Sequence, residues 1–199
     1  MWGEYYSAGV MTNHVSDFGP KPAGKGEYHD ETGKCVYFYV MEYHDMDQQS
    51  PPNPAELVNR IAELHSKAVS PNGRFGFPLV NGRGTLDRSE HWEESWAAQF
   101  AYLLRGLITL DNAVNEIWPE YDDACRQLID RVIPRLLGVL QSGGRNIEAV
   151  LCHGDLWEGN VATDVETGKI IIFDPGGSYE ALSSLRSYLC LLWLAMHVA

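Results

Sequence analysis

The sequence predicts an α+β fold, a mainly helical domain carrying a small β-hairpin, and three observations predict it. Three segments repeat apolar residues at helical spacing. Short runs rich in Val, Ile and aromatic residues alternate with turn residues. The 199-residue chain is 45% hydrophobic and 21% charged, the composition of a folded domain with one sizeable core.

Residues 1–34, rich in Gly, Pro and Tyr, predict irregular structure with one hairpin. Within them Gly19–Gly26 imitates a phosphate-binding loop. It ends in glycine where a hydroxyl must reach a metal, and Pro20 and Pro22 lack amide donors, so that reading is rejected. Cys35–Met41 is an apolar, β-branched and aromatic strand. Asn53-Pro54-Ala55-Glu56 starts a helix with an N-cap and a proline at its first position. Leu57, Ile61, Leu64 and Ala68 then form its core stripe, and His65 reads as a packed residue. A second helix is predicted from Ser89 to about Leu110, with Trp92, Trp96, Phe100, Leu103 and Leu107 on one face. A third runs from about Glu120 to Leu140, kinked or split by Pro134 and ended by Gly143-Gly144. Val150–Cys152, Val161-Ala162 and Lys169–Phe173 are short strands, the last two laid antiparallel by a Thr167-Gly168 turn.

The chemistry concentrates in His153-Gly154-Asp155-Leu156-Trp157-Glu158-Gly159-Asn160 and in Asp174, which closes an apolar run fourteen residues after Asn160. An Asp, an Asn five positions on, and a second Asp behind a strand is the set with which a kinase-type phosphotransferase holds Mg²⁺-ATP and aims a hydroxyl at the γ-phosphate. Phosphoryl transfer needs a carboxylate at the acceptor hydroxyl and oxygen ligands across the β and γ phosphates. One loop supplies Asp155 as base and Asn160 as metal ligand, the second strand delivers Asp174 to the same metal, and His153 braces the loop. Taken singly, His-Gly-Asp and Asp-Pro-Gly-Gly are ordinary turn sequences. Their order and spacing favour the site.

Leu151 to Asn160 resembles the catalytic loop of the fructosamine-3-kinase (ketosamine or protein-ribulosamine 3-kinase) family, and Trp157 separates it from aminoglycoside phosphotransferases and choline kinases. Val40-Met41-Glu42-Tyr43 is similar to the family's hinge, and Ala62–His65 and Gly73–Phe77 followed by Trp92 and Trp96 also match. Ile133–Leu137 and Gly143–Arg145 resemble the fungal branch. The resemblance implies a protein-kinase-like fold of which residues 44–180 are the helical catalytic lobe and 1–43 a remnant of the β lobe with its hinge. It implies ATP and Mg²⁺ as cofactors and phosphorylation of the sugar 3-hydroxyl of protein-bound or small ketosamines, with loss of the adduct. Met41, Glu42 and Tyr43 would meet the adenine, and Trp157, Trp92 and Trp96 are candidates for the sugar site.

Two departures accompany the match. The family's phosphate-covering loop, strand Lys and helix Glu have no counterpart in the sequence ahead of the hinge, since Lys21, Lys25 and Lys34 sit in Gly/Pro-rich or turn contexts. After Asp174, Gly176–Glu180 matches poorly and 181–199 is a divergent apolar tail, as in a chain cut at both ends. The alternatives are therefore an inactive kinase-fold fragment or a related small-molecule kinase. A net charge of −12 argues against nucleic acid and anionic lipid as partners. Four cysteines without Cys-x-x-Cys spacing read as reduced thiols of a cytoplasmic protein. No signal peptide opens the chain, and Tyr188–Ala199 is shorter than the roughly twenty residues of a membrane span.

Overall fold

The computed structural model describes residues 2–79 and 91–181. The apolar tail expected over 181–199 lies outside them beyond Ala181, as does the start of the second expected helix. The first element overturns the expectation for residues 1–34: Trp2–His14 is a helix, α1. Gly3 and Gly9 lower its intrinsic propensity and its apolar residues form no single stripe, so it carries no local helix signal. Tertiary packing makes it. Ser7, Ala8 and Met11 are buried, Tyr6 meets Phe77 edge-on at 5.4 Å, and a Cβ at Gly177 would fall 2.5 Å from Ser7 Oγ. A hairpin follows as β1 (Pro22–His29) and β2 (Cys35–Met41), not confined to residues 1–34 but closed by the strand expected over Cys35–Met41, an antiparallel two-stranded sheet in which Lys25 faces Tyr39. The phosphate-loop imitation thus ends inside a strand, with no helix behind it.

After β3 (Met46–Asp47), α2 (Pro54–Lys67) begins where its cap predicts: Asn53 Oδ1 accepts from the amides of Ala55 and Glu56 at 3.0 and 3.2 Å. β4 (Phe75–Phe77) and β5 (His91–Glu93) pair antiparallel, so Trp92 lies on a strand rather than on the second helix. That helix, α3 (Trp96–Val114), starts at the Ser95 cap, whose hydroxyl accepts from the Ala98 amide at 3.3 Å. The third expected helix is one rod of changing pitch: α4 (Pro119–Gln127), a π turn over Leu128–Val132, α5 (Ile133–Leu137) and a 3₁₀ turn to Gln141. Pro134 explains the change. Its ring and missing amide forbid the normal bond one turn back, and the amide of Ile133 reaches instead to Leu128.

β6 (Ala149–Cys152), β7 (Val161–Asp164) and β8 (Ile170–Ile172) carry the motif, with Val161 opposite Ile172 as the turn at Gly168 requires. β9 (Ser178–Ala181), unforeseen in the sequence, pairs with β6 and completes a sheet of order β5-β4-β9-β6 beside one of order β3-β7-β8. One apolar core joins Met11 and Phe18 to Leu57, Leu64, Phe75, Trp96, Leu151 and Ile172. Among the described residues no helix is long and apolar enough to cross a membrane.

Candidate active site

The chain leaves the buried strand β6 at His153 and turns back into β7 within eight residues, with Gly154 in the left-handed region (φ 81) permitting the reversal. His153, 5% exposed, braces the turn from inside. Its Nδ1 accepts from the Asp155 amide at 3.3 Å, and its Nε2 meets the Phe173 carbonyl at 3.0 Å. Accepting at one nitrogen and donating at the other describes a neutral ring protonated on Nε2. Asn160, also 5% exposed, ties the other end: Nδ2 donates to the Asp155 carbonyl at 2.8 Å and reaches Asp155 Oδ2 at 3.4 Å. The Asn160 carbonyl accepts from the Phe173 amide at 3.1 Å. Phe173 is thus held by its N–H and by its C=O, both bonds coming from the loop. Asp174, the next residue, is delivered in a left-handed conformation (φ 57).

Helix α1 closes one side of Asp174. The carboxyls of Glu4 and Asp174 lie within hydrogen-bonding reach, and the Tyr39 hydroxyl donates to Glu4 Oε1. Burial raises the Glu4 carboxyl above its ordinary range, and the Asp174 charge adds to the rise while the Tyr39 bond opposes it. The Tyr39 phenol is raised as well, first by burial and then by Glu4. Two carboxyls within hydrogen-bonding reach of each other concentrate negative charge there, the setting that a cation relieves. Glu4 and Tyr39 were missed in the sequence, Glu4 because its helix has no amphipathic signal. A helix Glu therefore does stand ahead of the hinge, contrary to the sequence reading. Lys25 likewise lies inside a strand rather than in a Gly/Pro loop, its ammonium 4.5 and 5.0 Å from the Trp2 and Tyr5 ring centres on the helix that bears Glu4.

The three hinge candidates are split. Met41 lines the same narrow crevice as Tyr39, Gly19, Phe173 and Asp174, a cavity of about 10 Å³ with room for about one water. Glu42 is tied back to the segment before β1: its amide donates to the Lys21 carbonyl at 2.9 Å and its carboxylate accepts from the Lys21 amide at 3.1 Å. Tyr43 is 88% exposed. Just beyond, His44 Nδ1 lies 2.7 Å from Asp164 Oδ2 and Nε2 3.9 Å from Glu42 Oε2, fastening the hinge to the end of β7. Thr167 first and His44 second hold the Asp164 carboxyl down at about 2.

The three tryptophans also diverge. Trp157 is half exposed, its indole over Gly159, where a Cβ would collide with the ring. Trp96 is 2% exposed and enclosed by Phe75 and Phe100, which corrects its candidacy for the sugar site: it is core. Trp92 stacks on Tyr179 with ring centres 5.9 Å apart and packs against the same core.

The fructosamine kinase family model matches residues 3–181. A chloroplastic protein-ribulosamine 3-kinase of Arabidopsis thaliana is 30% identical over 165 residues, 80% of this chain and 45% of that protein. A ketosamine-3-kinase of Mus musculus is 33% identical over 168 residues, 70% of this chain and 50% of that protein. A crystal structure from Haemophilus somnus 129PT, named provisionally as a fructosamine-3-kinase, superposes with a TM-score of 0.61 at 18% identity, covering 90% of this chain and 55% of that one. That likeness shows a shared fold. The chain spans about half the length of the curated relatives it matches.

Proposed function

This chain belongs to the fructosamine kinase family, and on that premise we propose that its cleft serves ATP-dependent phosphorylation of the 3-hydroxyl of a ketosamine sugar, such as ribulosamine or fructosamine on a protein lysine. Asp155 accepts the proton of the attacking hydroxyl as its oxygen bonds to the γ-phosphorus and the bond from that phosphorus to the β,γ-bridging oxygen breaks, with ADP as the leaving group. Asn160, whose Nδ2 donates to the Asp155 carbonyl, would hold Mg²⁺ through Oδ1, and Asp174 would supply the carboxylate. Mg²⁺ held there would supply positive charge to offset that of the phosphates. Met41, Glu42 and Tyr43 offer the backbone that meets the adenine, and the open face of Trp157 forms a wall for the sugar. Residues 1–43 act as nucleotide-lobe elements with the hinge, and 44–180 as the catalytic lobe. The phosphorylated ketosamine then sheds its sugar and the amine is restored. The reduced thiols of Cys35, Cys125 and Cys152 suit a reducing compartment such as the cytoplasm.

One observation carries this reading: the loop from His153 to Asn160 grips Phe173 by both its backbone groups and so couples Asp155, Asn160 and Asp174 in one rigid unit. The Glu4–Asp174 carboxyl pair supports the fit of a cation beside it. A second reading, a kinase fold that binds nucleotide without turnover, is favoured by the partners of Glu4. They are Asp174 and Tyr39 rather than a lysine, while the Lys25 ammonium rests on aromatic rings. Assay of the full chain with ATP, Mg²⁺ and a ribulosamine-bearing protein separates the two, with choline and an aminoglycoside as control acceptors. Turnover lost in Asp155→Asn with the fold intact supports catalysis. Nucleotide-dependent thermal stabilisation without turnover supports the second reading, and equal turnover in Asp155→Asn removes Asp155 from the mechanism.

A further inference from the structure

The segment that follows the hinge is stitched along β7 as far as the catalytic loop. His44 meets Asp164 at the end of β7, and the Asp45 carbonyl accepts from the Val165 amide at 2.8 Å. β3 then runs antiparallel to β7, with Met46 opposite Asp164 and Asp47 opposite Thr163. Each step forward along β3 is a step back along β7, so the chain beyond Asp47 is carried towards Asn160. Asp47 Oδ1 accepts from the amides of Gln49 and Ser50 at 2.8 and 3.3 Å, a turn that fixes the backbone on either side of Gln48. From that place Gln48 Nε2 donates to the Gly159 carbonyl at 3.1 Å.

That carbonyl belongs to the peptide group joining Gly159 to Asn160. The other end of the same group is held as well, because the Asn160 N–H donates to the Trp157 carbonyl at 3.0 Å. A peptide group is planar, so bonds at both of its ends fix its rotation and with it the direction in which the Asn160 side chain leaves the turn. The other bonds of Asn160, to Asp155 and from Phe173, come from within the motif. Gln48 holds it from outside. A hydrogen bond from an exposed glutamine is ordinarily weak, since the side chain gives up rotamers to make it. Here strand pairing and the Asp47 turn have already fixed the backbone, and only the side chain is left to order. We propose that Gln48 is a positioning residue for Asn160, setting the Gly159–Asn160 peptide and tying it to the segment that leaves the hinge. The inference rests on the reading of Asn160 as a residue that would hold Mg²⁺.

The test compares the full chain as parent, as Gln48→Met, which keeps the length of the side chain and removes the donor, and as Gln49→Met, a control at the exposed neighbour. Amide exchange at Asn160 is measured in the ligand-free chain, and thermal shift is measured at a fixed ATP concentration while Mg²⁺ is titrated. In Gln48→Met the exchange at Asn160 should quicken roughly fivefold, and the Mg²⁺ concentration that gives half of the full shift should rise by roughly the same factor. Saturating Mg²⁺ should restore the full shift, and the melting temperature without nucleotide or metal should stay that of the parent. Either change missing, while the parent keeps its Mg²⁺ dependence, overturns the proposal alone. A lower melting temperature in the ligand-free Gln48→Met with an unmoved Mg²⁺ midpoint assigns Gln48 to the fold and overturns it, as does an equal midpoint shift in Gln49→Met. A parent whose nucleotide response is indifferent to Mg²⁺ overturns the metal reading itself and the proposal with it.

Discussion

His153→Ala tests whether the loop is a mechanical unit. The imidazole closes two bonds, to the Asp155 amide and to the Phe173 carbonyl, and is 5% exposed. Deleting it leaves both backbone groups without that partner in a region water enters poorly. Each such group costs about 1–3 kcal/mol. Both lie near the mouth of the loop, so the low half of that range applies, and the sum is about 2–4 kcal/mol. At about 2–4 °C per kcal/mol for a domain of this size, the melting temperature should fall by about 5–15 °C. Because Phe173 is gripped on its other side by Asn160, the loss should also blur the position of Asp174, and Mg²⁺-dependent nucleotide binding should weaken along with stability. Urea and thermal unfolding followed by tryptophan fluorescence read the first effect, and thermal shift with ATP, with and without Mg²⁺, reads the second. An unchanged melting midpoint would refute the bracing argument. Unchanged stability with lost activity would move His153 from support into the chemistry.

Two further substitutions probe the charges around the cleft. The Glu4 carboxyl is raised above its ordinary value of 4.5, so the stability linked to its neutral form is complete below that value and is lost as pH rises through the raised one. Glu4→Gln should accordingly increase the melting temperature at pH 7 and flatten its pH dependence, and a lower melting temperature at that pH would contradict the carboxyl pairing. Asp164 behaves in the opposite sense: its stabilising contribution is present above its ordinary 3.8 and is lost as pH falls towards about 2. Urea midpoints measured from pH 5 downwards should drop in the parent more than in Asp164→Asn, and parallel curves would show that the His44 and Thr167 bonds do not act through the carboxylate.

What was legible in the sequence is what is encoded locally. The Asn53 cap, the Cys35–Met41 strand and the Val161–Ile172 hairpin each carry their own signal in consecutive residues, and each forms where that signal lies. The helix α1 carries none, since Gly3 and Gly9 weaken it and contacts with residues far along the chain, such as Phe77 and Gly177, hold it in place. Glu4 was hidden for the same reason. Trp92 and Trp96 fit one helical face in sequence, but the Ser95 cap moves the helix start to Trp96 and leaves Trp92 to pair with Gly76. β9 reads as a turn because Gly176-Gly177 precedes it, and it becomes a strand only through β6. In the site, the loop and Asp174 were legible from spacing. The carboxyl of Glu4 beside Asp174 depends on a packing contact that no spacing reports.

Asp174 itself stands at φ 57, immediately before Pro175. A proline disfavours compact backbone in the residue ahead of it, and the left-handed region strains any side chain, by about 1–2 kcal/mol in general and less for aspartate. A glycine would occupy that position with more ease. Folding and chemistry thus want different residues there, and a variant library screened only for heat resistance would be expected to drift away from the carboxylate. Thermal robustness, used as the sole yardstick for improving this chain, would count the loss of the carboxylate proposed to hold Mg²⁺ as a gain.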